Sequence, residues 1–280
     1  GSGKSTLAMA LLRLLPARTA AVSGKADFLG HDLLTIKDKE LTEIRWKELA
    51  VVFQKAMSSF SPVHRIGEQI EDIYRVHVPK AAKGEAKERA IELLKLVNLG
   101  DRVWRLYPHE LSGGMLQRVA IAMSLLFNPR LLIMDEATTA LDVVTQGQLL
   151  NEIKHMEETL DMTRIMITHD MSVVAASCNK VAVMYAGDIV EVGPVHKVLK
   201  TPAHPYTQGL LGSFPSLKGE TRTLRAIPGS IPDLSKHYDE CIFAPRCPHA
   251  TDACRHGRPE TVQVGEDWSA RCILCGGEKA

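Results

Sequence analysis

The stretch Leu131–Asp142, LLIMDEATTALD, decides the fold. Its first four residues, Leu131 to Met134, are apolar without a break and run into two adjacent acids, Asp135 and Glu136. A short, uniformly apolar run bounded by polar residues reads as a strand buried on both faces, the habit of parallel sheets with helices on each side. Asp135 sits where it can hold a metal ion through water, and Glu136 where it can polarise an attacking water as general base. Taken alone, the same stretch also reads as a strand followed by a solvated acidic turn.

The pattern repeats outward from this strand. Residues 49–53 (LAVVF) form a short β-branched strand, and 164–168 (RIMIT) another that ends at His169. Residues 181–185 and 189–192 flank Ala186-Gly187-Asp188, a hairpin signal. Helices are expected from Lys4 to Leu15, apolar nearly all round and stopped by Pro16. Others are expected at 85–97, which has one apolar stripe and stops at Gly100, at about 113–127, and at 146–159. Strands alternating with helices predict an α/β fold with a covered parallel sheet. After about residue 200 proline and glycine become frequent and helical periodicity fades, so 1–200 reads as one domain and 201–280 as a small extension. Trp46 and Trp104 are expected to pack, 80–89 to form a solvated helix face, and Cys178 to be a buried core thiol.

Two further motifs carry chemistry. Residues 1–6, GSGKST, supply the end of the phosphate-binding pattern G-x-x-x-x-G-K-[ST] without its first three positions, so the chain is expected to lack the N-terminal part of its parent. Gly3 lets the backbone approach a phosphate, and the amides opening the next helix point at the anion. Lys4 would reach the outer phosphates and Ser5 a Mg²⁺ ion. Before a helix, the same residues also read as a bare Gly/Ser leader. Residues 111–118, LSGGMLQR, place Ser112 as a helix cap with two glycines behind it, where open backbone amides suit a phosphate.

With these motifs in this order, the chain resembles the ATP-binding subunits of ATP-binding-cassette (ABC) transporters over residues 1 to about 200. LSGGMLQR is similar to the family's signature, Gln54 in VVFQKAMSSFSP to its Q-loop, Asp142 in TTALD to its D-loop, and His169 in MITHD to its switch histidine. The resemblance implies a P-loop NTPase (RecA-like) parallel-sheet core with a helical signature subdomain at about 61–118. It implies an ATPase with Glu136, His169 and Gln54 at the catalytic centre. Gly1, Ser2, Gly3, Lys4, Ser5 and Thr6 would hold the nucleotide, and Ser5, Gln54 and Asp135 the Mg²⁺. Two such subunits would dimerise head to tail, so that Ser112, Gly113, Gly114, Gln117 and Asp142 face the ATP bound by the partner. Residues 57–71 would receive the membrane partners.

The tail narrows the branch. TPAHPYTQGLL (201–211), AIPGSIPDL (226–234), CIFAPRCPHATDAC (241–254) and ARC (270–272) resemble the C-terminal extension of the oligopeptide/dipeptide importer ATPases. The resemblance implies a [4Fe-4S] cluster on Cys241, Cys247, Cys254 and Cys272, spaced C-x5-C-x6-C-x17-C. Cys275 departs from the pattern and, with Cys272, forms a zinc-type pair, so a Zn²⁺ site stays open as the alternative. A clip that organises a small tail with little core is the expected role.

Composition excludes several classes. Hydrophobic residues make up 45%, charged residues 24%, and the net charge is +1, which gives neither nucleic acid nor an anionic membrane surface a footprint. No apolar run reaches the roughly 20 residues that span a bilayer. The expected function is ATP hydrolysis that drives import of di- or oligopeptides. Expected partners are a second ATPase subunit (homo- or heterodimer), two membrane permease subunits and, indirectly, a substrate-binding protein. The expected location is peripheral, at the cytoplasmic face of the inner membrane. The same importer with nickel or oligosaccharide cargo, and a soluble non-transport ABC ATPase, are the alternatives.

Overall fold

The structure, a computed structural model, describes residues 2–54, 59–139, 141–213 and 227–276. Two compact units divide the chain, one of Ala8–His169 and the other of Gly1–Leu7 with Asp170–Ala280.

The helix at the amino end, α1 (Lys4–Leu11), is shorter than its apolar run predicts. Arg13 takes φ +50°, and the Leu14 N–H reaches back to the Met9 carbonyl at 2.9 Å, a Schellman closure that ends the helix one turn early. Ala8 and Leu12 pack with Leu33, Leu41 and Ile44 in a small core. Leu41 and Ile44 come from α2 (Asp38–Ile44), and Leu33 directly follows a hairpin the sequence reading did not find, β1 (Asp27–Phe28) with β2 (His31–Asp32). The Asp32 carboxylate ties the hairpin together by accepting the Ala26 and Leu34 N–H groups and the Thr35 hydroxyl, and these bonds hold its pKa below the ordinary value.

β3 (Leu49–Val52), β4 (Leu131–Asp135) and β5 (Thr163–Ile167) form a parallel sheet in the order β3–β4–β5. Its register pairs Val52 with Met134 and Asp135 with Ile167. β4 is central, and Leu132, Ile133 and Met134 are fully buried. β5 departs from the expected uniform burial: Ile165 is 41% exposed, although β3, the other edge strand of this sheet, is buried. α3 (Ile66–His77), α4 (Glu85–Leu96), α5 (Gly113–Ser124) and α6 (Val143–Leu160) supply the larger core through Ile66, Leu94, Leu116, Ile121 and Ile153. Each such side chain contributes about 1.5–3 kcal/mol on burial. Trp46 and Trp104 pack against this core, as expected. The helix predicted from Glu85 is present, whereas residues 80–84 precede it as turn and coil.

In the other unit, α7 (Met171–Ser177) leads into β6 (Lys180–Tyr185) and β7 (Asp188–Pro194). Ala186 and Gly187 turn the hairpin with φ +50° and +92°, the paired left-handed geometry of a tight β-turn. α8 (Val195–Lys200) and α9 (Pro205–Gly212) follow, then β8 (Val262–Gly265) and β9 (Trp268–Ala270). The sheet order is β6–β7–β9–β8, with Glu191 opposite Ala270. The tail is therefore hydrogen-bonded to the hairpin by an added strand. Tyr185, Tyr206 and Phe243 pack as a mutually contacting trio with ring centroids 4.6–5.5 Å apart. Cys178 differs from its expectation: it is half-buried, at the carboxyl end of α7 and beside the Ser177 hydroxyl.

Gly67 marks the tightest helix contact. A Cβ built there would lie 2.4 Å from the Trp104 ring. Gly67→Ala gains about 1 kcal/mol of helix propensity but overpacks the ring, for an expected net loss of about 1–2 kcal/mol. Urea unfolding of the variant against the parent measures this difference.

Candidate functional site

The parallel sheet ends all three strands at one level, and each strand delivers one polar residue just beyond its end. Gln54 follows β3 by two residues, Glu136 follows β4 directly, and His169 follows β5 by two residues. Glu136 takes φ +48°, a left-handed conformation uncommon for a long side chain, while its N–H bonds the Ile167 carbonyl at 2.8 Å. The ladder thus holds the strained residue in place. The Gln54 amide donates to Glu136 Oε2 at 2.6 Å, and His169 Nδ1 donates to Oε1 at 3.3 Å. Both carboxylate oxygens are engaged, one by a neutral amide and one by an imidazole that is largely exposed. Asp135 lies beside them and is buried, and its Oδ1 has no hydrogen-bond partner among the described residues. A buried carboxylate oxygen without a donor is costly. An ion's hydration water answers that need, so the residue fits a hydrated Mg²⁺.

Ser112 caps α5, its Oγ accepting the Met115 N–H at 3.2 Å, and both Ser112 and Gly113 are exposed. Gln117, one turn on, is buried, and its amide donates to the Phe53 carbonyl at 3.4 Å. Gln117 therefore links α5 to the end of β3, whereas Ser112, Gly113 and the half-buried Gly114 are open to solvent. Asp142 caps α6 by accepting the Thr145 N–H and hydroxyl at 2.9 and 2.6 Å, bonds that hold its carboxyl below the usual range.

In the other unit, Gly3 takes φ +88°, the Ser2 carbonyl accepts the Gly187 N–H at 3.1 Å, and Lys4 Nζ donates to Ser2 Oγ at 3.3 Å. Ser5 and Thr6 lie exposed on the first turn of α1. Gly1 lies outside the described residues, as do residues 57 and 58 of the expected partner-docking segment.

Cys241, Cys247, Cys254 and Cys272 line one pocket. The Cys241 N–H bonds the Cys254 carbonyl at 3.0 Å. Burial raises the Cys241 and Cys247 thiols, and the neighbouring Cys254 and Cys272 add to the effect. The thiol of Cys275 hydrogen-bonds Cys272, lowering Cys272 to about 6 and raising its own pKa. A donor set of four thiols and no carboxylate fits a thiolate-bound iron–sulfur or zinc group. Among the described residues, no three His, Cys, Asp or Glu are close enough together to cage a single ion.

The sequence reading missed two buried polar residues here. Glu191 accepts the Ala203 and His204 N–H groups at 2.9 and 3.0 Å and the Trp268 indole N–H at 2.9 Å. His204 caps α9, its Nδ1 accepting the Tyr206 N–H at 3.0 Å. A polar residue before proline is a helix-start signal that could have found it.

Residues 1–139 match the model of the ABC transporter family, and 190–254 match the oligopeptide/dipeptide transporter C-terminal region. A probable peptide ABC transporter ATP-binding protein of Sinorhizobium fredii is 43% identical over 276 residues, covering 97% of this chain and 82% of that protein. The chain belongs to the ABC transporter family as an ATP-binding subunit. The oligopeptide transport ATP-binding protein OppD of Escherichia coli is 42% identical over 261 residues, covering 92% of this ABC ATPase and 77% of OppD. Among solved structures, the post-hydrolysis dimer of the ATP-binding cassette MJ0796 bound to ADP and Pi aligns with a TM-score of 0.63 at 29% identity, over 69% of this chain and 81% of that one. The ABC ATPase has the cassette's mixed α/β fold, binds ATP, and has no helix long and apolar enough to cross a membrane among the described residues.

Burial lowers the His204 pKa to about 4, against a smaller opposing pull from Glu191. The folded chain therefore binds fewer protons than the unfolded one between pH 4 and 6.5, and stability falls as the pH drops through that window. The shift corresponds to about 3 kcal/mol. In denaturant titrations from pH 7 to 4, the parent is expected to lose that much more stability than His204→Asn, which keeps a capping side chain.

Proposed function

We propose that this ABC ATPase hydrolyses MgATP to energise import of di- or oligopeptides through partner membrane subunits. The hydrolytic part rests on one observation: Gln54 and His169 converge on the two oxygens of the Glu136 carboxylate. Glu136 takes the proton of the attacking water. His169, which bonds Glu136 from an exposed ring, holds the carboxylate and reaches for the γ-phosphate. Gln54 gives up its bond to Glu136 as nucleotide arrives, and so links the site to the segment that follows it. Lys4, with Gly3 and the amides at the start of α1, binds the phosphates, and Ser2, Ser5 and Thr6 line the same turn. Ser5, Gln54 and, through water, Asp135 are the residues that would hold a Mg²⁺ ion, and the ion would supply charge neutralisation at the transferred phosphoryl group. Ser112, Gly113, Gly114 and Asp142 present the exposed face that a second ATPase subunit needs to complete its own nucleotide site, and Gln117 sets the seat of α5 behind them.

The peptide cargo rests on the relatives' names and on the match of 190–254 to the oligopeptide/dipeptide transporter C-terminal region. The partners are a second ATPase subunit, two permease subunits and, indirectly, a substrate-binding protein, with the chain peripheral at the cytoplasmic face. Residues 1–200 act as the nucleotide-binding domain and 201–280 as the extension. Cys241, Cys247, Cys254 and Cys272 would carry a [4Fe-4S] cluster that clips the extension together, with a Zn²⁺ site as the alternative; the reading is supported by the four thiols that line one pocket.

Reconstitution with the membrane subunits and a binding protein tests the reading. External peptide is expected to raise ATP turnover, and Lys4→Ala to abolish both turnover and uptake. Turnover indifferent to peptide but raised by nickel or an oligosaccharide would overturn the cargo assignment.

A further inference from the structure

The turn that joins β6 to β7 is braced from two sides, all within one compact unit. Ala186, at φ +50°, takes a left-handed conformation uncommon for a residue with a Cβ, so its surroundings must hold it there. The turn meets the amino end of the chain through Gly187. Its N–H donates to the Ser2 carbonyl at 3.1 Å, and a Cβ built on Gly3 would lie 3.6 Å from the Gly187 Cα. The next residue, Asp188, meets the extension. Its Oδ1 accepts a hydrogen bond from Arg258 and lies 3.7 Å from the Arg271 guanidinium. The Asp188 side chain is 12% exposed, and a carboxylate so covered needs such partners. Arg271 is delivered by the sheet: its N–H bonds the Val190 carbonyl at 2.9 Å, one step past the pairing of Glu191 with Ala270. Arg258 arrives from the loop before β8.

We propose that the Arg258–Asp188–Arg271 bridge is a positioning device through which the extension holds the phosphate-binding turn of residues 2–4 in shape. The proposal rests on the reading above that this turn binds the phosphates of the nucleotide. Asp188 acts through its neighbour rather than on the nucleotide. With both arginines in place it pins the start of β7, and Gly187 is fixed with its N–H on the Ser2 carbonyl. Gly3, at φ +88°, then keeps the open backbone that a phosphate needs. Without the bridge a largely covered carboxylate loses its counter-charges and the strained turn relaxes. The loop must then be ordered anew each time nucleotide binds. A loosened bridge therefore weakens the binding of ATP and leaves the chemical step at saturating nucleotide alone.

Binding of a fluorescent ATP analogue and steady-state turnover are measured on the full chain and its variants. Asp188→Asn, Arg258→Ala and the double variant Arg258→Ala/Arg271→Ala are expected to weaken binding and raise KM by about fivefold or more, with kcat within about twofold of the parent's. Arg258→Lys, which keeps the charge, is expected to recover most of the affinity. Hydrogen exchange at the Gly187 amide should quicken in the variants that lose the bridge. Arg246 gives the comparison. It ties the extension to the hairpin through the Tyr185 hydroxyl at 3.3 Å, and it also bonds the Ile227 and Pro228 carbonyls, but it makes no ion pair with Asp188 among the described residues. Arg246→Ala is expected to bind ATP like the parent; an equal loss of affinity there would mark general loosening and overturn the proposal. Parent-like affinity in the double variant also overturns it, and Lys4→Ala that still abolishes binding then leaves the phosphate reading standing. Lys4→Ala that binds like the parent overturns both. Should Asp188→Asn fail to fold, Arg258→Ala decides, since that side chain is 47% exposed.

Discussion

The register of one parallel ladder sets the geometry of the candidate site. β3, β4 and β5 pair so that Val52 stands beside Met134, and Asp135 beside Ile167. That alignment brings the residues just past three strand ends to one level, with Gln54 82 residues before Glu136 and His169 33 residues after it. A one-residue slip in any strand would turn its side chains to the opposite face and break up the group. The hydrophobic burial of Leu132, Ile133 and Met134 makes such a slip costly, so the packing of the core also fixes the arrangement of Gln54, Glu136 and His169. The bond from the Glu136 N–H to the Ile167 carbonyl extends the ladder one step beyond β4 and holds Glu136 in a left-handed conformation it would not choose alone.

A second constraint organises the extension. Glu191 is 1% exposed and gathers N–H donors from Ala203, His204 and Trp268. A buried carboxylate is tolerable only when its oxygens are bonded in this way. The three donors lie before α9 and on β9, so a single side chain on β7 ties the two ends of the extension to the hairpin. The same bonds set His204 at the edge of the cysteine pocket. The wall that the thiols share is laid down by ordinary hydrogen bonds and by the packing of Tyr185, Tyr206 and Phe243.

Much of this was legible in the sequence where local pattern and long-range structure agree. The strands around Val51 and Ile133 are apolar because a covered parallel sheet demands it, and these two and the more exposed strand around Ile165 fall within a residue or two of the expected bounds. Ser112 and Asp142 announce helix caps by residue type, and both make those bonds. The rest was hidden for physical reasons. The hairpin at Asp27–Asp32 has two-residue strands, too short for periodicity to register, and is held by the side chain of Asp32. α1 stops early because Arg13 turns left-handed, and Arg13 is not a residue that signals such a turn. Glu191 sits in DIVEVGP, where an acid between valines reads as the solvent side of a strand; only the pairing of β7 with β9 buries it. Gln117 belongs to the signature motif, yet its bond runs to the Phe53 carbonyl, a long-range partner that no local pattern names.

The proposed mechanism makes Glu136 the acceptor of the water's proton, so a change confined to that capacity is the most direct probe. Single-turnover hydrolysis by Glu136→Gln at saturating MgATP, with ATP binding measured on the same preparation, isolates it. Binding is predicted to stay close to the parent's, while the chemical step slows by about 10² or more. A variant that cleaves ATP at the parent's rate would contradict the assignment of Glu136 as the base and the role of the strand ends that hold it.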